Sequence, residues 1–292
     1  MEKKALFAFQ EDAAPKFLAS LSKEGIPNIV PILSLDALNE NMIFFGDYMI
    51  WKTKKNLLEN SKVACAVTSM NGFKTYIVKG DFQEFIRTGE LVNRANHSAL
   101  FRFNAYTGVR GVGKISVKKT YPPTSLLTFS MIINILKMKI GKGKVEKYKT
   151  EDKKEAPIIP HRIMEKFKGI TSFKFLAYKD SDDYPMIIPI TSLSPKKDRK
   201  RLVFSFSGFK KEIDQIPVLS KVAISILKME TDKNILSLAM SKDIPFGEIQ
   251  PIAYQVKGVY MGVNKFRGVN LGVIDVDEVY SASPPLPGER LA

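Results

Sequence analysis

Pro27-Asn28-Ile29-Val30-Pro31-Ile32-Leu33-Ser34-Leu35 returns 158 residues later as Pro185-Met186-Ile187-Ile188-Pro189-Ile190-Thr191-Ser192-Leu193. Working outward, Phe17-Leu18-Ala19 returns at the same spacing as Phe175-Leu176-Ala177. Ser61-Lys62-Val63-Ala64 is matched by Ser220-Lys221-Val222-Ala223, and Tyr76-Ile77-Val78-Lys79-Gly80 by Tyr254-Gln255-Val256-Lys257-Gly258. Gly113, Ile115, Val117 and Tyr121 are matched by Gly272, Ile274, Val276 and Tyr280. Collinear matches in one order mark an internal repeat, and a repeat decides the architecture before any local prediction does. The spacing widens at Tyr254 and closes again at Gly272. Copy two therefore holds an insertion around Thr231–Gln250, and copy one a compensating insertion around Gly89–Gly108.

The repeated segments read as strands. Lys16 to Ser22 and Pro27 to Leu35 flank Lys23-Glu24-Gly25, a hairpin turn in which glycine supplies the permissive backbone. Met42 to Gly46, Lys62 to Ser69, Lys74 to Arg87 and Val112 to Tyr121 are rich in Val, Ile, Phe and Tyr, as strands are. Thr53 to Asn60 reads as a short helix capped by Thr53. Each copy is several strands with one or two helices, which favours a barrel over a parallel α/β sheet. The expected fold is mainly β, two tandem split β-barrels with short helices and a helical linker. The expected units are residues 1–123, a linker at 124–170, and residues 171–292. In the linker, Leu126 to Leu136 suits a helix packed on a barrel, and a charged segment follows, ending in Pro157-Ile158-Ile159-Pro160.

Composition narrows the function classes. Of 292 residues, 45% are hydrophobic and 26% charged, the balance of an ordered soluble protein. The net charge of +15 comes from lysines scattered along the chain. Even the densest stretch, Lys137 to Lys154, is broken by Glu146, Glu151 and Asp152, so no nucleic-acid arm is expected. Cys65 is the one cysteine, which excludes an internal disulfide and suits a reducing cytoplasm. His97 and His161 lie far apart, so no His/Cys metal site is expected, while carboxylate ligands stay open. Neither a secretory leader nor an apolar stretch long enough for a membrane span is seen. Gly108-Val109-Arg110-Gly111-Val112-Gly113 lacks the spacing of a nucleotide fingerprint and reads as a flexible loop.

The order of segments in copy one resembles the flavin-binding split-barrel family related to pyridoxamine 5′-phosphate oxidase. The resemblance rests on Gly25 to Ile32, on Ile43-Phe44-Phe45-Gly46, on Trp51-Lys52-Thr53-Lys54-Lys55-Asn56-Leu57-Leu58-Glu59-Asn60, and on the strand through Lys79-Gly80. It covers most of residues 5–123 and is weaker over 171–287. It implies flavin mononucleotide (FMN), with the phosphate beside the short helix and the ring along the barrel strands, commonly between two subunits. The residues matching such a site are Ile29, Val30, Pro31, Ile32, Phe45, Gly46, Trp51, Lys52, Thr53 and Asn56.

Elementary chemistry points to the same place. A helix N-terminus favours an anion, and Lys52, Lys54 and Lys55 add positive charge there. An ordinary capped helix with a basic surface would look the same locally. Ile29 to Ile32 offers an apolar strand to a planar ring, and Trp51 or Tyr48 either covers a ring face or packs in a core or interface. In copy two, Glu212 takes the place of Thr53 and Gln215 that of Asn56, with Asp214 nearby. Carboxylates repel phosphate, so copy two is expected to lack the site and to serve as an internal partner completing the groove of copy one. A homodimer in addition stays open. The expected activity is that of a flavoprotein oxidoreductase acting on a small molecule or redox partner. The alternatives are a haem- or deazaflavin-binding module on the same fold, or a scaffold whose sites have decayed.

Overall fold

A computed structural model describes residues 1–97, 108–126, 157–169, 171–205, 209–230, 249–266, 269–284 and 286–292. The expected helix at Leu126 to Leu136 lies outside these residues apart from Leu126, as do the charged linker before 157 and most of both insertions.

The first sheet contains β1 (Lys16–Leu21), β2 (Pro27–Pro31), β3 (Asp36–Asn39), β4 (Met42–Gly46), β5 (Lys62–Thr68), β6 (Lys74–Ile86) and β7 (Val112–Thr120), with a short β8 (Thr124–Ser125) on β6. The second contains β9 (Ser172–Lys179), β10 (Pro185–Pro189), β11 (Ser194–Pro195), β12 (Arg201–Ser205), β13 (Lys221–Glu230), β14 (Gln250–Phe266) and β15 (Val269–Ser281). Their orders are β2-β1-β5-β6-β7-β4-β3 and β10-β9-β13-β14-β15-β12-β11, all antiparallel and the same topology twice. Leu18, Ala37, Phe45, Val63, Val78 and Ile115 meet in one core, so β1, β3, β4, β5, β6 and β7 wrap around a single interior. The end strands β2 and β3 do not pair with each other, which leaves the barrel split.

Two cores share the alternating faces of the central strands. In Val63-Ala64-Cys65-Ala66-Val67 the valines and Cys65 point into the first barrel, while Ala64 and Ala66 point to the second sheet. β9 and β13 mirror this: Leu176, Tyr178, Val222 and Ile224 fill the second barrel, and Phe175, Ala177 and Ala223 face the first. Small alanines let the sheets approach, and Phe17 meets Phe175 with ring centroids 4.3 Å apart. This double burial is why these strands read as nearly continuous hydrophobic runs.

The repeated glycines are steric. After Lys79 and again after Lys257 the strand register slips by a β-bulge. A Cβ on Gly80 would lie 2.4 Å from the Ser116 carbonyl oxygen, and one on Gly258 would lie 2.2 Å from that of Asp275. Gly258→Ala is therefore expected to destabilise the chain by about 3 kcal/mol, the overpacking range, read as a lowered urea midpoint. An unchanged midpoint would show that the bulge relaxes.

Short helices close the barrels. α1 (Lys3–Gln10), not anticipated from the sequence, buries Ala5, Ala8 and Phe9 in the first core. α2 (Trp51–Glu59) follows β4, and α3 (Glu90–His97) lies in the copy-one insertion. α4 (His161–Met164) ends the linker before β9, and in the second unit α5 (Lys210–Asp214) stands where α2 stands in the first. The segment read as a glycine-rich loop becomes strand from Val112 onward, because Val112 and Gly113 complete the ladder with β4. Among the described residues no helix is long and apolar enough to cross a membrane.

Candidate functional site

A cavity of about 450 Å³ opens between the two units, within the range of small-molecule sites. Its first wall is the chain from Val30 to Ser34 with Gly46 and the Tyr48–Thr53 segment; its second is Leu227, Pro251, Ala253 and Gln255, with Tyr280–Pro284. β2 is an end strand, so backbone groups along one of its edges are not used in the sheet.

Helix α2 begins two residues earlier than expected. Ile50 is its N-cap and makes no side-chain capping bond, so Thr53 is not the cap. The amides of Trp51, Lys52 and Thr53 lie in the first turn, where no intrahelical acceptor exists, and all three residues line the cavity. Thr53 falls instead on the buried face with Asn56 and Leu57, the i, i+3, i+4 stripe of a docked helix. Its polar neighbours explain that burial. Asn28 donates to Thr53 Oγ1 at 3.2 Å, and Asn56 donates to Ser20 Oγ at 3.1 Å. From the second unit, Gln255 Nε2 donates to Asn28 Oδ1 at 3.1 Å and to the Ile29 carbonyl at 2.6 Å. This buried network fixes α2, β2 and β14 against one another.

The structure thus brings Val30, Pro31, Ile32, Gly46, Trp51, Lys52 and Thr53 to the cavity wall. Ile29, Phe45 and Asn56 are not on it. Ile29 and Phe45 are wholly buried in the two cores, and Asn56 is committed to Ser20. The three candidate lysines also separate. Lys54 forms a close ion pair with Asp47 and sits 4.5 Å over the Phe85 ring, and Lys55 lies 3.9 Å from Glu59. Only Lys52 turns to the cavity, with its ammonium 4.4 Å above the Tyr280 ring. Trp51 is exposed, and the Arg110 guanidinium stacks 4.7 Å from its ring.

Sequence reasoning missed the second wall. Lys257 on β14 touches Lys52, and burial together with that like charge pulls its ammonium down to about 8. Glu278, opposite Lys257 in the ladder, pulls the other way without restoring it. Burial and a hydrogen bond to Glu278 push the Tyr280 phenol up to about 12, so it is a neutral donor at physiological pH. The signal that could have found Lys257 was its place in the repeated Tyr-x-Val-Lys-Gly strand, but only the fold brings that strand to α2.

Two ammonium groups held together beside unpaired helix amides are a site for an anion. Because Lys257 is depressed in the free protein, anion binding between pH 8 and 10.5 must draw in a proton. Affinity for phosphate is expected to be greatest below about pH 8 and to fall as pH rises. Calorimetry in buffers of different ionisation enthalpy should show proton uptake near pH 9 that is absent from Lys257→Met. Equal uptake in both proteins would place the titration elsewhere, for instance at Lys16, which burial also pulls down to about 8.

Fold and cavity define a mainly β split-barrel protein of two units with a cleft between them. Solved structures similar to part of the chain include an FMN-binding protein from Syntrophomonas wolfei, 18% identical, with TM-score 0.37 over 44% of this chain and 91% of that one. A putative pyridoxamine 5′-phosphate oxidase from Lactobacillus delbrueckii is 14% identical, with TM-score 0.34 over 42% and 93%. An F420 reductase is 15% identical, with TM-score 0.31 over 40% and 94%. A curated relative, an uncharacterised protein of Methanocaldococcus jannaschii, is 30% identical over 86 residues, 27% of this chain. The chain spans 57% of that relative's length. No family model matches the chain.

Proposed function

We propose that the protein is an FMN-binding oxidoreductase of the pyridoxamine 5′-phosphate oxidase-like superfamily, acting in the cytoplasm on a small molecule or a redox partner. The observation that carries this reading is an apolar cavity between the units onto which Lys52 and the first turn of α2 open, with Lys257 of the second unit beside Lys52. The residues fit the cofactor. Lys52, Lys257 and the amides of Trp51 to Thr53 would hold the phosphate, and Val30 to Leu33 would line the ring on one side. Pro251 and Ala253 supply an apolar wall on the other. When bound, the flavin supplies the electron transfer, and the protein supplies position, charge and exclusion of water.

In this reading the units are residues 1–123 and 171–292 joined by 124–170, a tandem duplication that forms an internal pseudo-dimer. The second unit contributes Lys257 and Tyr280 and completes the groove of the first. The test is the visible spectrum of the purified protein, with identification of any chromophore released on denaturation and titration with FMN. Binding at micromolar FMN, with one equivalent per chain, is expected. A colourless protein that takes up no FMN overturns the reading, and a haem or deazaflavin spectrum would replace the cofactor.

A further inference from the structure

The two repeated lysines end in opposite electrostatic states. Lys79 and Lys257 hold the same place in Tyr-x-Val-Lys-Gly, each just before the bulge. Each site also includes a tyrosine from the matched pair Tyr121 and Tyr280. The Lys79 ammonium stands 5.6 Å from the Tyr121 ring, and the Lys52 ammonium beside Lys257 stands 4.4 Å from the Tyr280 ring. Lys79 is only 1% exposed, yet it does not lack a counter-ion. It donates to Asp180 Oδ2 at 2.6 Å and to both oxygens of Asp182 at 2.8 Å. Both aspartates belong to the β9–β10 hairpin, which reaches across from the second unit. The neighbouring Tyr184 hydroxyl donates to Asp81 at 2.7 Å and holds the hairpin in place.

The matching hairpin of the first unit does nothing of the kind. At the repeat spacing of 158, Asp180 and Asp182 correspond to Ser22 and Glu24. Glu24 accepts a hydrogen bond from Ser22 Oγ at 2.8 Å on the exposed surface. No hairpin carboxylate therefore reaches Lys257, which meets Lys52 instead.

We propose that Lys79 marks a second anion site, equivalent to the one at Lys257, which the chain itself fills with the Asp180 and Asp182 carboxylates. The hairpin stands where an external phosphate would otherwise bind, so one chain takes one phosphate-bearing ligand rather than two. Removing the two charges should leave a buried, unneutralised ammonium and a hairpin no longer held to it by charge, which can give way to an incoming anion. Lys119, opposite Lys79 on β7, adds positive charge there, while Lys118 is paired with the Asp81 carboxylate at 3.6 Å.

The probe is inorganic pyrophosphate in equilibrium dialysis at low ionic strength. The unmodified chain should bind one equivalent and Lys52→Met/Lys257→Met none. Adding Asp180→Asn/Asp182→Asn to that double variant should restore one equivalent, and Lys79→Met should abolish it again. A folded chain carrying all four substitutions that binds nothing overturns the proposal. So does one whose restored binding survives Lys79→Met. Where the paired asparagines prevent folding, Asp180→Asn alone is added to the Lys52→Met/Lys257→Met chain; millimolar pyrophosphate should raise the thermal midpoint of that chain but not of Lys52→Met/Lys257→Met itself, and an unmoved midpoint overturns the proposal. This goes beyond the flavin reading and fails separately from it. If the first site is wrongly assigned, the unmodified chain binds none, whereas Asp180→Asn/Asp182→Asn still gains one.

Discussion

Lys257→Met should weaken FMN binding about 10- to 100-fold while leaving the ligand-free protein as stable as before, or more so. Both parts follow from one geometry. A charged hydrogen bond to phosphate is worth about 1.5–3 kcal/mol, which sets the size of the loss. In the free protein the same ammonium is half-buried against Lys52, and the depressed proton affinity shows that the fold tolerates its charge poorly at neutral pH. The linkage sign is fixed by that depression. Below about pH 8 the unfolded chain holds the Lys257 proton more tightly than the folded chain, so the charge lowers stability there, and the penalty disappears as pH rises towards 10.5. Methionine keeps the aliphatic stem and removes the charge. Lys52→Met should likewise weaken binding, and because the two lysines touch and act on one phosphate, the double variant should lose less than the product of the two single losses. Fluorescence titration with FMN and thermal melts of the free proteins give the two readouts. A lowered melting temperature with unchanged FMN affinity would make Lys257 a structural lysine and remove the main support for the cofactor reading.

How much of this could be read from the chain depends on what kind of contact a residue makes. Strand positions were legible because the repeat is written in residues with local reasons. Gly80 and Gly258 sit where any Cβ would strike a carbonyl oxygen, and Pro27, Pro31, Pro185 and Pro189 flank end strands, where a missing N–H is tolerated. Met42–Gly46 was bounded as it is found, since its ends are set by neighbouring turns. The start of α2 was misread because Thr53 is a good cap by type, whereas its hydroxyl answers Asn28 across the barrel. Asn56 was misread for the same reason, its partner Ser20 being 36 residues away. Lys54 and Lys55 looked equivalent to Lys52 in sequence. Only the helix phase, and Asp47 against Lys54, separate them. Gln255 and Tyr280 on the other half of the cavity, and Lys257 beside Lys52, lie more than 200 residues from Lys52. No local pattern could place them there. The contrast between the two units was visible at Glu212, but the stronger asymmetry is the Asp180–Asp182 hairpin, whose meaning depends on its reaching Lys79 in the other unit.

That hairpin leads to the second large expected effect. Lys79→Met should destabilise the protein by about 3 kcal/mol at pH 7, at the lower end for a broken buried pair because Asp182 keeps 40% of its side chain in water. The loss is less that of an attraction than of a counter-ion. Burial alone would pull the Lys79 ammonium down, but its bonds to Asp180 and Asp182 overcome this and hold it above its ordinary value. Burial likewise pushes the Asp182 carboxyl up, but the Lys79 bond outweighs it and holds that carboxyl below its ordinary range. Without Lys79, two carboxylates from one hairpin face each other against the apolar interface between the units. The pH dependence separates this from simple loss of packing. In the unmodified protein the depressed Asp182 contributes stability that is present above its unfolded value near 3.8 and is lost as pH falls through its lower folded value. In Lys79→Met the carboxylates repel, protonation relieves them, and acid should help rather than harm. The gap in urea midpoint between the two proteins should therefore narrow from pH 7 to pH 4.5, and Asp180→Asn/Asp182→Asn in the Lys79→Met chain should recover most of it at pH 7. A gap that stays constant with pH and is not recovered by the asparagines would mean that Lys79 acts through its aliphatic stem, packed between the sheets, and not through its charge.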